Sequence, residues 1–369
     1  MCMGVRCERC GCEDIKYFVQ IRGVYQCRRC IQYQGYEGSV LYYDEPVEYG
    51  MNYELTEAQK ECSKKICELS QYKDVLVNAI CGAGKTELVL ESIQYAIEHK
   101  QKVGIAVARR QVVLQLYERL SKIFNSIKVT RVCEGFTDDC EGHLIICTTH
   151  QLFRFYQMFD LLIMDEPDAF PFSSDQTLQG FAKNSVKGHT IYLTATPSDE
   201  LLKQVKLNHV EEVRLFRRPH NHDLVIPVCK FIPLYCQFVY LKYWLAKFEE
   251  SCLIFVPSIK IGNQLSTYLG IPFVYAGYEK LDEFITHFKN NFGSRLICTT
   301  VLERGVTFEN VQVAVVHANH PVFNLPSLIQ ISGRVGRSMK YPSGRVLFLC
   351  TERKAEVSLC IDLQIQANA

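Results

Sequence analysis

The sequence has no stretch of about 18 consecutive apolar residues, so nothing in it reads as a membrane-spanning helix. Its first residues, Met1-Cys2-Met3-Gly4-Val5-Arg6-Cys7, lack the apolar centre of a secretion signal. The expected compartment is therefore the cytoplasm. Net charge is close to balance, +1 over 369 residues, so no broadly basic surface announces nucleic acid. Any such contact has to come from a local groove. No low-complexity tract appears, and no repeat relates one half of the chain to the other.

What is abundant is cysteine, 18 in all, of which six fall within the first 30 residues. The other twelve are scattered through apolar runs such as Leu144-Ile145-Ile146-Cys147 and Leu296-Ile297-Cys298. A buried thiol behaves as a small hydrophobe, so these read as core filling in a reducing compartment rather than as a disulfide framework. With 48% hydrophobic and 22% charged residues, the chain has the profile of a soluble globular protein of two or three domains.

Three regions separate. Residues 1–50 are rich in Cys, Tyr, Gly and Arg, with no long periodic apolar segment, and end in the linker-like Tyr43-Asp44-Glu45-Pro46-Val47-Glu48-Tyr49-Gly50. Beyond them, short apolar runs alternate with helical spacing. In residues 51–210 the runs are Val75–Ala79, Val103–Val107, Leu144–Cys147, Leu161–Met164 and Thr190–Leu193, with helices over Lys85–Glu98 and Gln111–Ile123. In residues 211–369 they are Cys252–Val256, Pro272–Tyr275, Leu296–Cys298, Val311–Val316 and Val346–Leu349. Helices there are expected over Ile259–Leu269, Lys280–Asn291 and Pro326–Gly333. Continuous apolar strands alternating with helices predict α/β architecture: two lobes, each a parallel sheet covered on both faces. The hinge is expected within Leu207–Asp223, where the pattern lapses.

The strongest chemical signal is Ala79-Ile80-Cys81-Gly82-Ala83-Gly84-Lys85-Thr86, between an apolar strand and a helix. Glycines there let backbone N–H groups turn around phosphate oxygens at a helix N-terminus. Lys85 would reach the β- and γ-phosphates, and Thr86 would ligate Mg²⁺. About 80 residues on, Leu161-Leu162-Ile163-Met164-Asp165-Glu166-Pro167-Asp168 ends an apolar strand with two carboxylates at the edge where α/β ligands bind. Asp165 would hold Mg²⁺, and Glu166 would orient and deprotonate the attacking water.

These two segments resemble motifs I and II of superfamily 2 helicases, and others follow in order. Leu55-Thr56-Glu57-Ala58-Gln59 resembles the Gln motif, which implies that Gln59 reads the adenine. Thr194-Ala195-Thr196-Pro197 resembles motif III, Thr299-Thr300-Val301-Leu302-Glu303-Arg304-Gly305-Val306-Thr307 motif V, and Gln330-Ile331-Ser332-Gly333-Arg334-Val335-Gly336-Arg337 motif VI. The resemblance implies RecA-like lobes, a nucleotide bounded by Cys81, Gly82, Ala83, Gly84, Lys85, Thr86, Glu87 and Gly305, and arginine fingers at Arg334 and Arg337.

With the run from Asp165 to Pro171 and an N-terminal four-cysteine module, the whole chain resembles the ComFA family, ComF-operon ATPases of transformable Gram-positive bacteria that are similar to PriA. That resemblance implies ATP and Mg²⁺, movement of single-stranded DNA through the competence membrane channel, and a phosphoribosyltransferase-like partner encoded nearby. It extends the expected location to the inner face of the cell membrane. Pro167 stands where the family usually has an aliphatic residue.

Cys7-x2-Cys10 and Cys27-x2-Cys30, 16 residues apart, have the spacing of a structural four-cysteine zinc site (Zn²⁺), with Cys2 and Cys12 as competing ligands. Neighbouring Arg22, Tyr25, Arg28, Arg29 and Tyr33 could touch DNA or a protein, or form a solvated face. The nucleic-acid track expected across both lobes comprises Arg109 and Arg110, Thr148 and Thr149, Ser258, and Thr299 and Thr300. Each hydroxyl there is as good a helix cap as a phosphate ligand. Three functions compete: a single-stranded-DNA translocase ATPase, a duplex-unwinding DNA or RNA helicase, and a scaffold switched by ATP.

Overall fold

The computed structural model describes residues 5–33, 39–303, 306 and 308–368. Its tertiary contacts divide the chain into two units. The first is Met1–Ala79 with Gly84–Leu215; the second is Phe216–Ala369 with Ile80–Ala83.

In the first unit an antiparallel hairpin, β1 (Phe18–Ile21) and β2 (Val24–Cys27), is followed by a short β3 (Ser39–Val40). Helix α1 (Glu57–Leu69) then leads into β4 (Asp74–Ala79), α2 (Leu90–Glu98), β5 (Val103–Val107), α3 (Arg110–Ile123) and β6 (Val129–Val132). After β7 (Glu141–Gly142), which pairs with β3, come β8 (Leu144–Thr148), β9 (Phe159–Asp165), α4 (Gln176–Ser185), β10 (Val186–Thr194), α5 (Asp199–Lys206) and β11 (Val210–Leu215). Seven strands form one sheet in the order β11-β4-β10-β9-β5-β8-β6, every pairing parallel. The apolar runs that gave no alternation explain this: all five residues of β5 and of β8 are buried, as strands covered on both faces must be.

The second unit repeats the scheme. It contains β12 (Val228–Phe231), α6 (Leu234–Leu245), β13 (Ser251–Phe255), α7 (Ile259–Leu269), β14 (Phe273–Val274), α8 (Leu281–Asn290), β15 (Arg295–Cys298), β16 (Val311–Val315), α9 (Leu325–Ser332), β17 (Val346–Cys350) and α10 (Ala355–Ala367). Its six strands run β12-β17-β16-β13-β15-β14, again all parallel. Two apolar layers cover the sheet, one around Leu253, Phe255, Val313 and Phe348, the other around Leu241, Leu245, Ile254 and Leu347. The α/β, two-lobe expectation is what the chain adopts.

Three boundaries differ from the sequence reading. Val210–Leu215 is a strand paired with β4, so the lobe boundary falls after Leu215 rather than after residue 210. Lys85–Glu98 is not one helix: a turn through Lys85 and Thr86 and a 3-10 segment, Glu87–Val89, precede α2. The described residues of the N-terminal module are packed into the first unit, because Cys10, Cys12 and Cys30 share a core with Leu178 and Phe181 of α4. The close approach requires Gly180, where a Cβ would overlap the Cys10 carbonyl.

Candidate functional site

In an all-parallel sheet the strands deliver their next residues to one edge. In the first unit this edge receives Gly84 and Lys85 beyond β4, Arg109 after β5, Thr149 after β8, Glu166 after β9 and Ala195 after β10.

The loop after β4 turns on Gly82 (φ +85°) and Gly84 (φ +82°), a left-handed conformation that side chains rarely adopt. It is closed by Ala83 N donating to Ile80 O (3.1 Å) and Glu87 N to Gly84 O (3.0 Å). Lys85 Nζ is shielded from solvent and has no hydrogen-bond partner among the described residues. A buried ammonium with no acceptor is costly, so the cradle fits an anion, and the glycine-rich turn around it fits phosphate. Thr86, half-buried in the next turn, and Asp165 at the end of β9 are the residues that would hold Mg²⁺.

Gln59 is 3% exposed and completes a capping box at the start of α1: Thr56 N donates to its Oε1 (3.0 Å), and its own N donates to Thr56 Oγ1 (3.3 Å). Its Nε2 lies so close to Gly84 that a Cβ there would stand 2.7 Å from it. The helix cap thus places the Gln motif against the phosphate loop. Glu87, expected at the nucleotide, has one carboxylate oxygen engaged by the Tyr53 hydroxyl (2.7 Å) and by Arg119 of α3. Burial, then this carboxylate, raises the Tyr53 phenol above its ordinary pKa.

Glu166 adopts φ +53°, with its N donating to Leu193 O (2.8 Å) and its O accepting from Ala169 N (2.9 Å). Such a conformation costs a non-glycine residue about 1–3 kcal/mol and is held here by the two flanking bonds. The sequence places Asp168 in the acidic box but implies no role for it. The structure gives it one: Thr194 Oγ1 donates to its Oδ1 (2.5 Å) and Thr196 Oγ1 to its Oδ2 (2.7 Å). Both motifs were visible in sequence. Their contact follows from the pairing of β9 with β10, which neither motif encodes by itself.

At the N-terminus the Sγ atoms of Cys7, Cys10, Cys27 and Cys30 lie within 4.8 Å of one another, with Cys7–Cys30 at 3.6 Å and Cys10–Cys27 at 3.7 Å. A tetrahedral ion with metal–sulfur bonds of about 2.3 Å needs sulfurs about 3.8 Å apart. The four residues therefore could hold a metal, and the thiol of Cys30 foremost, among its neighbours, lowers that of Cys10 to about 5. Cys12 points its sulfur toward Asp14 O (4.0 Å) and is outside the group, while Cys2 lies outside the described residues. Of the basic and aromatic neighbours, Arg29 donates to Gln176 (2.8 Å) and Tyr33 packs edge-on to Phe181, leaving Arg22, Tyr25 and Arg28 exposed.

The expected track residues fare unevenly. Arg109 caps α3 from the end of β5, and Arg110 Nε donates to Glu134 O (2.9 Å). Thr148 and Thr149 are buried, and the Thr149 hydroxyl is shut off from solvent. Ser258 caps α7, accepting from Ile261 N (3.3 Å). Thr299 and Thr300 are half-buried after β15. Gly305 and Arg304 lie outside the described residues. In motif VI Arg334 is 2% exposed and donates to Val306 O, whereas Arg337 is half-buried with Nε donating to Gly333 O (2.8 Å).

Two family models match the chain: the type III restriction enzyme res subunit over residues 52–199, and the helicase conserved C-terminal domain over residues 235–339. With the phosphate loop and acidic box, they define a superfamily 2 helicase-type enzyme, a nucleic-acid-dependent ATPase. Among solved structures, Mss116p bound to single-stranded RNA and AMP-PNP shares the fold, with TM-score 0.66 and 21% identity over 84% of this chain and 72% of that one.

The chain belongs to the ComFA family of competence proteins. It is 36% identical to competence protein ComFA of Streptococcus pneumoniae over 96% of this chain and 88% of that protein. It is 31% identical to competence protein ComFA of Bacillus subtilis over 93% and 81%. No helix among the described residues is long and apolar enough to cross a membrane.

Proposed function

We propose that the protein is an ATP-driven motor that moves along single-stranded DNA during natural transformation. The observation that carries a motor over a passive switch is the clasp on Asp168. The acidic box that meets the nucleotide is gripped by the two threonine hydroxyls at the end of β10, so a change at one is transmitted to the other. Membership of a family of competence proteins supports DNA as the track.

On this reading the phosphate loop and Lys85 bind the phosphates, and Thr86 with Asp165 would hold Mg²⁺, which would supply positive charge against the phosphates. Glu166 takes the proton of the attacking water, and Arg337, with Arg334, stabilises the charge that develops in the transition state. DNA bound to Arg109 and Arg110 and to Ser258, Thr299 and Thr300 favours the hydrolytic state, which makes turnover DNA-dependent by population shift. The four cysteines, Cys7, Cys10, Cys27 and Cys30, would hold a structural zinc ion as thiolates. The phosphoribosyltransferase-like protein of the same operon and the competence channel are the proposed partners, which would place the motor at the inner face of the membrane.

The test is steady-state ATPase with no nucleic acid, single-stranded DNA, duplex DNA and RNA. Single-stranded DNA should stimulate most. Equal rates in all four, or a preference for RNA or duplex, would overturn this reading.

A further inference from the structure

The segment that leaves β11 reads in sequence only as a charged hinge. In the structure it contains one of the most buried cations of the chain. Arg218 is 3% exposed, and its Nη1 donates to Val335 O (2.9 Å) and Gly336 O (2.5 Å) while Nη2 donates to Gly333 O (3.1 Å). His220, two residues on, adds a fourth tie. Its Nδ1 accepts from His222 N (3.1 Å), so the ring proton sits on Nε2, which donates to Gly336 O (3.0 Å).

These four ties all go to the turn that ends α9 and bears the motif VI arginines, while Arg218 Nε donates to a further acceptor, Cys81 O of the phosphate loop (3.0 Å). Carbonyls at a helix C-terminus lack intrahelical donors and carry partial negative charge. A planar guanidinium has five donors in a fixed fork, enough to serve these three carbonyls and Cys81 O together, whereas an ammonium has only three. The Gly333 carbonyl also accepts from Arg337 Nε (2.8 Å). Arg218 and Arg337 therefore meet at one oxygen. Burial, and then the charge of Arg337, lowers Arg218 to about 10, which leaves it protonated at neutral pH.

We propose that Arg218 is a positioning residue for ATP hydrolysis: it fixes the Gly333–Gly336 turn and, through the shared carbonyl of Gly333, aims the side chain of Arg337. This rests on the reading of Arg337 as the arginine finger. The anchored residue is the third after the end of β11.

The experiment compares Arg218→Gln, Arg218→Lys, Arg337→Ala and the double variant Arg218→Gln/Arg337→Ala in the full chain. Affinity for a fluorescent ATP analogue and kcat at saturating single-stranded DNA are measured separately. Arg337→Ala should lose about 10³-fold or more in kcat. Arg218→Gln should lose about 10–100-fold in kcat, the scale of a misplaced catalytic group, with a smaller loss of analogue affinity from the broken tie to Cys81 O. Arg218→Lys should fail to rescue, and the double variant should be no slower than Arg337→Ala alone, because the two act as one unit.

A double variant in which the two losses multiply, or full activity in Arg218→Lys, would overturn the positioning role while leaving the finger intact. Wild-type kcat in Arg337→Ala would instead sink the finger reading itself. If Arg218→Gln fails to fold, His220→Ala removes a single tie to the same turn. Its smaller loss of kcat should likewise vanish in the Arg337→Ala background, and persistence there would overturn the proposal.

Discussion

Replacing Gly180 by alanine separates the docking of the cysteine module from its folding. A Cβ at this position would stand 2.6 Å from the Cys10 carbonyl carbon, against an optimum of about 3.5 Å between carbons, so the two backbones must part by about 1 Å. No side chain can relieve the overlap, because the obstacle is main chain. Parting them strains the bond from Asn184 Nδ2 to Glu8 O (2.6 Å), that from Arg29 to Gln176 (2.8 Å), and the edge contact of Tyr33 with Phe181 (4.9 Å).

At about 1 kcal/mol for each hydrogen bond and for the aromatic pair, the loss is about 3 kcal/mol. Replacing a helical glycine returns about 1 kcal/mol. The net of about 2 kcal/mol corresponds to a roughly 30-fold larger undocked population. Hydrogen exchange should show that deprotection in β1, β2 and α4 but not in β5 or β8, and metal analysis should still give one zinc per chain. Protection equal to wild type, with a raised melting temperature from the helix gain alone, would refute the packing argument.

Two further perturbations address the chemistry. Glu166→Gln should lower kcat by about 10²–10⁴-fold, the contribution of a positioned base, while ATP binding persists in equilibrium titration; Lys85→Ala should abolish turnover and weaken binding as well. Asp168→Ala removes both acceptors from Thr194 and Thr196. It should cost about 2–4 kcal/mol of local stability by denaturant unfolding and uncouple hydrolysis from DNA stimulation, whereas unchanged stability and coupling would discard the clasp.

The strands were legible because burial on both faces leaves an unbroken apolar run, as in Val103–Val107, where sequence and structure agree to the residue. Helix α7 was legible because its cap and its terminal Gly270 punctuate a clean helical period. Harder cases have physical reasons. Val129–Val132 carries polar Thr130 and Arg131, Val228–Phe231 is a mostly exposed edge strand, and α6 is apolar on nearly all sides, so none shows the expected period.

The phosphate loop, acidic box and cysteine pairs could be read because local spacing alone sets their geometry. Arg218, Asp168 and the seat of the module on α4 could not. Each joins segments far apart in the chain, and only sheet order and close approach bring them together.

The uniform strand direction also decides where the molecule can be handled. Because each sheet sends the loops that follow its strands to a single edge, the turns that enter the strands from the other end are open to probes. Lys100, just before β5, has a side chain 64% exposed, and exposed Glu249 precedes β13. A fluorophore at each would place one reporter on each unit without touching the loops that follow the strands. With 18 cysteines in the chain, four of them grouped as metal ligands, maleimide labelling is the wrong chemistry for this. An unnatural amino acid carrying an azide or alkyne at those two turns suits the protein better, and would let single molecules be followed through a turnover cycle.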